Sequence, residues 1–125
     1  MLVIVCPGQG SQTPGFFTPW LELPAFKESI EIASASSGLD LTTFGTISDA
    51  DTIRDTAIAQ PLIVSASTAS YAALREAGLP DFAGVAGHSV GELAAASISG
   101  IFDTSTAMAL VAKRGSEMAE AAALS

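Results

Sequence analysis

Apolar and polar positions along the chain alternate between two kinds of pattern. Residues 2–6 form a β-branched-rich apolar run closed by Pro7-Gly8, which predicts a fully buried strand. Gly84-Val85-Ala86 is a second, shorter run of the same kind. Between them, Phe26, Ile30 and Ala33 recur at helical spacing and predict a helix over about residues 24–37, with Gly38 as its C-cap. Residues 39–59 are polar and broken, so short helical turns and loops are expected there. Pro61 is expected to open the next helix, at the position where a missing N–H is harmless. Gly78 and Pro80 supply the stop after about Ala77. Small and apolar residues over 90–99 predict a helix in which Gly91 and Ala94 permit close contact with a sheet. Asp103 is expected to cap a last helix reaching about Ala121.

The order strand, helix, helix, strand, helix, helix predicts an α/β domain with parallel strands in a three-layer αβα arrangement. Two strands are too few for a complete sheet. Either weaker strands escape the pattern, or the rest of the sheet lies in sequence not present here.

Composition narrows the function classes. A chain of 125 residues fits one ordinary domain with a modest core, and 49% hydrophobic with 14% charged residues is a globular composition. The formal charge of −8, with five Lys and Arg, argues against nucleic acid, because phosphate binding needs clustered basic residues. The N-terminal apolar run is too short for a signal peptide and has no basic leader. No uncharged stretch reaches about 18 strongly apolar residues, which argues against a membrane span. The single Cys6 excludes an internal disulfide and fits a reducing compartment, so a cytoplasmic, soluble protein is expected.

The chemistry concentrates at Gly87-His88-Ser89-Val90-Gly91. A Gly-x-Ser-x-Gly segment between a strand and a helix is a sharp turn that lifts a serine hydroxyl clear of the backbone, with glycines expected to tolerate the strain. The helix that follows offers unpaired N–H groups and the positive end of its dipole. The backbone N–H of Val90 can therefore stabilise an oxyanion formed on attack by Ser89. The alternative is a serine that only satisfies backbone groups in a tight turn. His88 is the sole histidine, but neighbouring side chains on a strand point to opposite sides, so it is expected to pack or orient the turn rather than serve as base. The general base is then not in this chain, which reads as a fragment.

Other residues carry weaker signals. In the last predicted helix Ala107, Leu110, Val111 and Met118 mark an apolar stripe, and Arg114 falls on it. An inward-facing guanidinium needs an anion or several acceptors, either a carboxylate ligand or a salt bridge within the chain. Gln60 either caps its helix or lines a pocket. Cys6 reads as a small buried hydrophobe rather than a nucleophile. Glu92 reads as a favourable charge in the first turn of its helix rather than an acid catalyst.

Pro7-Gly8-Gln9-Gly10-Ser11-Gln12, Ala59-Gln60-Pro61, Gly87-His88-Ser89-Val90-Gly91-Glu92 and Arg114-Gly115 together resemble successive motifs of the malonyl-CoA:acyl carrier protein transacylases. The motifs span nearly the whole chain, and their order and spacing are more specific than any one alone. The resemblance implies a hydrolase-like core carrying a nucleophile elbow. Residues 1–125 would be the N-terminal portion of that core, with its remainder and a small ferredoxin-like subdomain absent. It implies that Ser89 forms the acyl ester, that the N–H groups of Gln9 and Val90 make the oxyanion hole, and that Arg114 pairs with the malonyl carboxylate. The implied catalytic histidine lies downstream of Ser125. Malonyl-CoA and acyl carrier protein are the implied partners, with no metal, no permanent cofactor and a monomeric full-length enzyme. This chain alone is expected to be inactive. A serine esterase or thioesterase is the rival reading, since the same turn suits it.

Overall fold

A computed structural model describes residues 1–124. In chain order the elements are β1 (Val3–Cys6), α1 (Pro24–Ser37), α2 (Leu41–Thr46), α3 (Ala50–Arg54), α4 (Thr56–Glu76), β2 (Gly84–Gly87), α5 (Gly91–Ile98) and α6 (Thr104–Ala123). The two strands pair in parallel, Val3 against Gly84 through Cys6 against Gly87. The domain is thus mixed α/β with a short parallel sheet, as the order of elements predicts.

Helix boundaries follow local chemistry. Pro24 occupies the first turn of α1, and Gly38 ends it in the left-handed conformation at φ 74°. Asp40, Asp49, Asp55 and Asp103 cap α2, α3, α4 and α6, each accepting from a backbone N–H two or three residues on, at 2.8–3.2 Å. Hydrogen bonds from Thr43, Thr52 and Thr106 hold the Asp40, Asp49 and Asp103 carboxyls below their ordinary pKa.

The core joins Phe17, Phe26 and Ile30 to Leu62, Ile63, Met108 and Val111, all essentially inaccessible to solvent. Helix α4 runs through its centre, packed against α1, α5 and α6. By length and composition α4 could cross a membrane, yet 56% of its most apolar window is buried inside the domain, which marks a core helix.

Two expectations fail here. The first strand is not fully buried: Ile4 and Cys6 face the core, whereas Val3 and Val5 are 50% and 72% exposed. Side chains alternate across a strand, and among the described residues nothing covers the second face. Pro61 does not open α4. The helix begins five residues earlier at Thr56, under the Asp55 cap, and Pro61 lies inside it. The Asp55 side chain and the burial of Ala59 and Gln60 nucleate the earlier turn, and α4 forgoes the one hydrogen bond that the proline nitrogen cannot donate.

Candidate active site

The parallel ladder extends one residue beyond β2, where the His88 N–H donates to the Cys6 carbonyl at 3.0 Å. The chain then reverses within two residues. Gly91 N–H donates to His88 O and Glu92 N–H to Ser89 O, both at 3.0 Å, and α5 begins. Ser89, at the apex, is solvent-exposed and has φ 55°, the one positive φ at a non-glycine among the described residues. A left-handed conformation costs an L-residue about 1–2 kcal/mol, so the turn stores strain at the serine itself.

The flanking glycines have a different job from the one expected of them. Neither Gly87 nor Gly91 has positive φ. Their value is closeness: a Cβ on Gly87 would collide with the Gly91 carbonyl and the Glu92 nitrogen, and one on Gly91 with the Cys6 carbonyl and, at 2.6 Å, with Pro7 O. Missing side chains let β1, β2 and α5 meet at one point. Gly91→Ala is therefore expected to destabilise the protein by about 1–3 kcal/mol, since backbone rather than a flexible side chain would have to move. A thermal-unfolding midpoint within a degree of the parent would contradict this packing.

The loop of residues 7–12 lies against the same turn. A Cβ on Gly8 would stand 2.6 Å from His88 Nδ1 and 2.7 Å from His88 O, so a glycine is what lets the loop seat against His88, the residue before Ser89. The loop is braced internally. Ser11 Oγ donates to Gly8 O at 2.9 Å, Gln12 Oε1 accepts from Gly10 N–H at 2.9 Å, and Gln12 Nε2 reaches Ile53 O at 3.1 Å. Neither the Gln9 nor the Val90 backbone N–H donates to an acceptor among the described residues, and Val90 itself is fully buried. His88 is exposed and makes no hydrogen bond to the Ser89 hydroxyl among the described residues. Cys6 is buried, and burial pushes its thiol pKa up, the opposite of an activated nucleophile.

Arg114 lies on α6. The buried face of that helix is Ala107, Met108, Val111 and Gly115, whereas Leu110 and Met118, expected on the stripe, are 45% and 44% exposed. The stripe is rotated because Gly115 lets α6 approach α4, its absent Cβ standing 3.0 Å from Thr56 O and 3.5 Å from Gln60 Cβ. Arg114 therefore sits at the border, half-buried, and its Nη1 donates to Gln60 Oε1 at 2.8 Å. The ion pairs among the described residues are Arg54 with Asp51 and Arg75 with Asp81, so Arg114 has no carboxylate partner there. A guanidinium carries five N–H donors, and one is engaged.

From the sequence, Gln60 is expected either to cap its helix or to line a pocket. The structure makes it the link between Arg114 and the Gln9 loop, a role that no spacing in the sequence signals. Ser89 and Val90 thus lie in the turn between β2 and α5, Gln9 in the loop after β1, and Arg114 on α6. The loop packs on the Ser89 turn, and Gln60 ties it to Arg114.

The model of the Acyl transferase domain family matches residues 3–124. The chain belongs to the acyl transferase domain family. Among relatives, it is 46% identical over 127 residues to the malonyl CoA-acyl carrier protein transacylase of Mycobacterium tuberculosis (strain ATCC 25618 / H37Rv), covering 98% of this chain and 41% of that protein. The crystal structure of MCAT from Mycobacterium tuberculosis superposes with a TM-score of 0.91 at 46% identity, over 99% of this chain and 42% of that one. A malonyl-transacylase solved with a type II PKS acyl-carrier protein matches with a TM-score of 0.90 at 32% identity, over 96% of this chain and 39% of that one. The chain spans about two fifths of the length of the relatives it matches.

Proposed function

We infer that this chain carries the nucleophile and the substrate-carboxylate site of a transacylase that moves malonyl groups from malonyl-CoA to the phosphopantetheine thiol of an acyl carrier protein. The observation that carries the reading is the strained, exposed Ser89 at the head of α5; among the described residues the Gln9 and Val90 N–H groups have no acceptor and Arg114 has no carboxylate partner. Similarity to proteins named malonyl CoA-acyl carrier protein transacylase supports the choice of acyl group.

Ser89 Oγ attacks the thioester carbonyl as its proton passes to a base. The oxyanion takes hydrogen bonds from the Gln9 and Val90 N–H groups, and the tetrahedral adduct collapses to a malonyl-serine ester as CoA leaves with a proton. The acceptor thiol then attacks the ester, and Ser89 is released. Arg114 pairs with the free malonyl carboxylate through donors that Gln60 leaves open. His88 is not the base; that group comes from outside these residues, and the segment alone is inactive. The reaction needs no metal and no permanent cofactor. The segment belongs to a hydrolase-like three-layer core, within an enzyme of the cytoplasm that works as a monomer.

The test joins this chain to the remaining sequence of the Mycobacterium tuberculosis relative and exposes the chimera to radiolabelled malonyl-CoA. Label should appear on the Ser89 peptide, leave slowly to water and leave fast to a pantetheine thiol. Faster loss to water than to thiol would mean an esterase or thioesterase, and label elsewhere would dismiss Ser89 as nucleophile.

A further inference from the structure

We propose that Gln60 is a positioning residue that aims Arg114 at the substrate carboxylate and ties it to the oxyanion-hole loop. The proposal rests on the reading of Arg114 given above.

Gln60 is a buried polar side chain on α4, 1% exposed. A buried amide is costly unless its polar atoms are paired. Here Oε1 accepts from Arg114 Nη1 at 2.8 Å, while Nε2 lies 3.3 Å from Met118 Sδ and 3.4 Å from Gln9 Oε1. Gln9 Nε2 continues the chain to Thr56 Oγ1 at 3.1 Å, back on α4. The amide can face one way only. Arginine offers donors and no acceptor, so a flipped Gln60 would set N–H against N–H. That orientation turns Nε2 toward Gln9, whose backbone N–H has no acceptor among the described residues.

The charge state of the partner matters as much as its geometry. A neutral amide holds the guanidinium in place without cancelling its charge, so the full cation remains for an incoming anion. A carboxylate at position 60 would form a partly buried ion pair with Arg114 and compete directly with the substrate. Methionine would fill much the same volume with almost no acceptor strength.

In the chimera with the Mycobacterium tuberculosis relative, kcat/KM is measured with malonyl-CoA and with acetyl-CoA for Gln60→Glu, Gln60→Met and Arg114→Ala. Hydrogen bonds to charged groups imply that the malonyl/acetyl ratio falls about tenfold or more in Gln60→Glu, mainly through KM for malonyl-CoA. Gln60→Met should lower it in the same direction by less. Equal losses on both substrates, or an unchanged ratio in both variants, would reduce Gln60 to a structural role and overturn the proposal. Should Gln60→Glu fail to fold, the ratio in Gln60→Met decides alone. The Arg114→Ala arm separates the two levels. A ratio that falls there but not in the Gln60 variants sinks this inference alone, whereas one unchanged in Arg114→Ala sinks the carboxylate reading beneath it.

Discussion

Ser89→Ala is expected to lower malonyl transfer by at least about 10⁴-fold, because removal of a covalent nucleophile leaves the oxyanion hole and binding alone to act. The measurement is single-turnover transfer to a pantetheine thiol in the active chimera; a loss below a hundredfold would mean that another group carries the acyl chain. The same position yields a second, opposite readout. Ser89 holds φ 55°, a conformation that glycine adopts without penalty and alanine does not. Ser89→Gly should therefore be as inactive as Ser89→Ala yet more stable than it, by about 1 kcal/mol once the greater freedom of glycine in the unfolded chain is set against the relieved strain. Thermal-unfolding midpoints of the two variants compare directly. Equal midpoints would mean that the turn stores no strain at the serine. The expected trade is function held at a cost in stability, at one residue.

Arg114→Ala should lower kcat/KM for malonyl-CoA by about a hundredfold, the effect of losing roughly 3 kcal/mol of charge-assisted pairing, and leave acetyl-CoA much less affected. The premise is physical. Among the described residues Arg114 has one acceptor, Gln60 Oε1, and no carboxylate, so its other donors are open to the proposed malonyl carboxylate. Lysine at this position should recover only part of the loss, because an ammonium cannot make the two parallel bonds of a planar fork. Preference is the informative quantity, since a damaged fold would depress both substrates together. A malonyl preference unchanged in Arg114→Ala would end the carboxylate role.

How much of this was legible in the sequence depends on how local each feature is. Gly38, Gly78 and Asp103 set helix ends through bonds to their own neighbours, and the helices of residues 24–37 and 104–123 fall close to where periodicity puts them. The serine turn was legible for the same reason, since a strand, a tight reversal and a helix are encoded within a dozen residues. Pro61 misled because a cap six residues earlier, together with burial of Ala59 and Gln60, outweighed the preference of proline for a first turn. Strand β1 misled because an apolar run does not say whether both faces are covered.

The sequence by itself determined the element order, the parallel α/β class and the sharp turn that presents Ser89 between β2 and α5. Tertiary structure alone decided that strain falls on the serine while Gly87 and Gly91 serve close approach. It decided too that Gly8 seats the Gln9 loop on His88, and that Gln60 joins that loop to Arg114. These last contacts link residues about 50 to 80 positions apart. Pairings at such separation leave no periodic trace in a single sequence, because they depend on how packed helices and strands happen to meet.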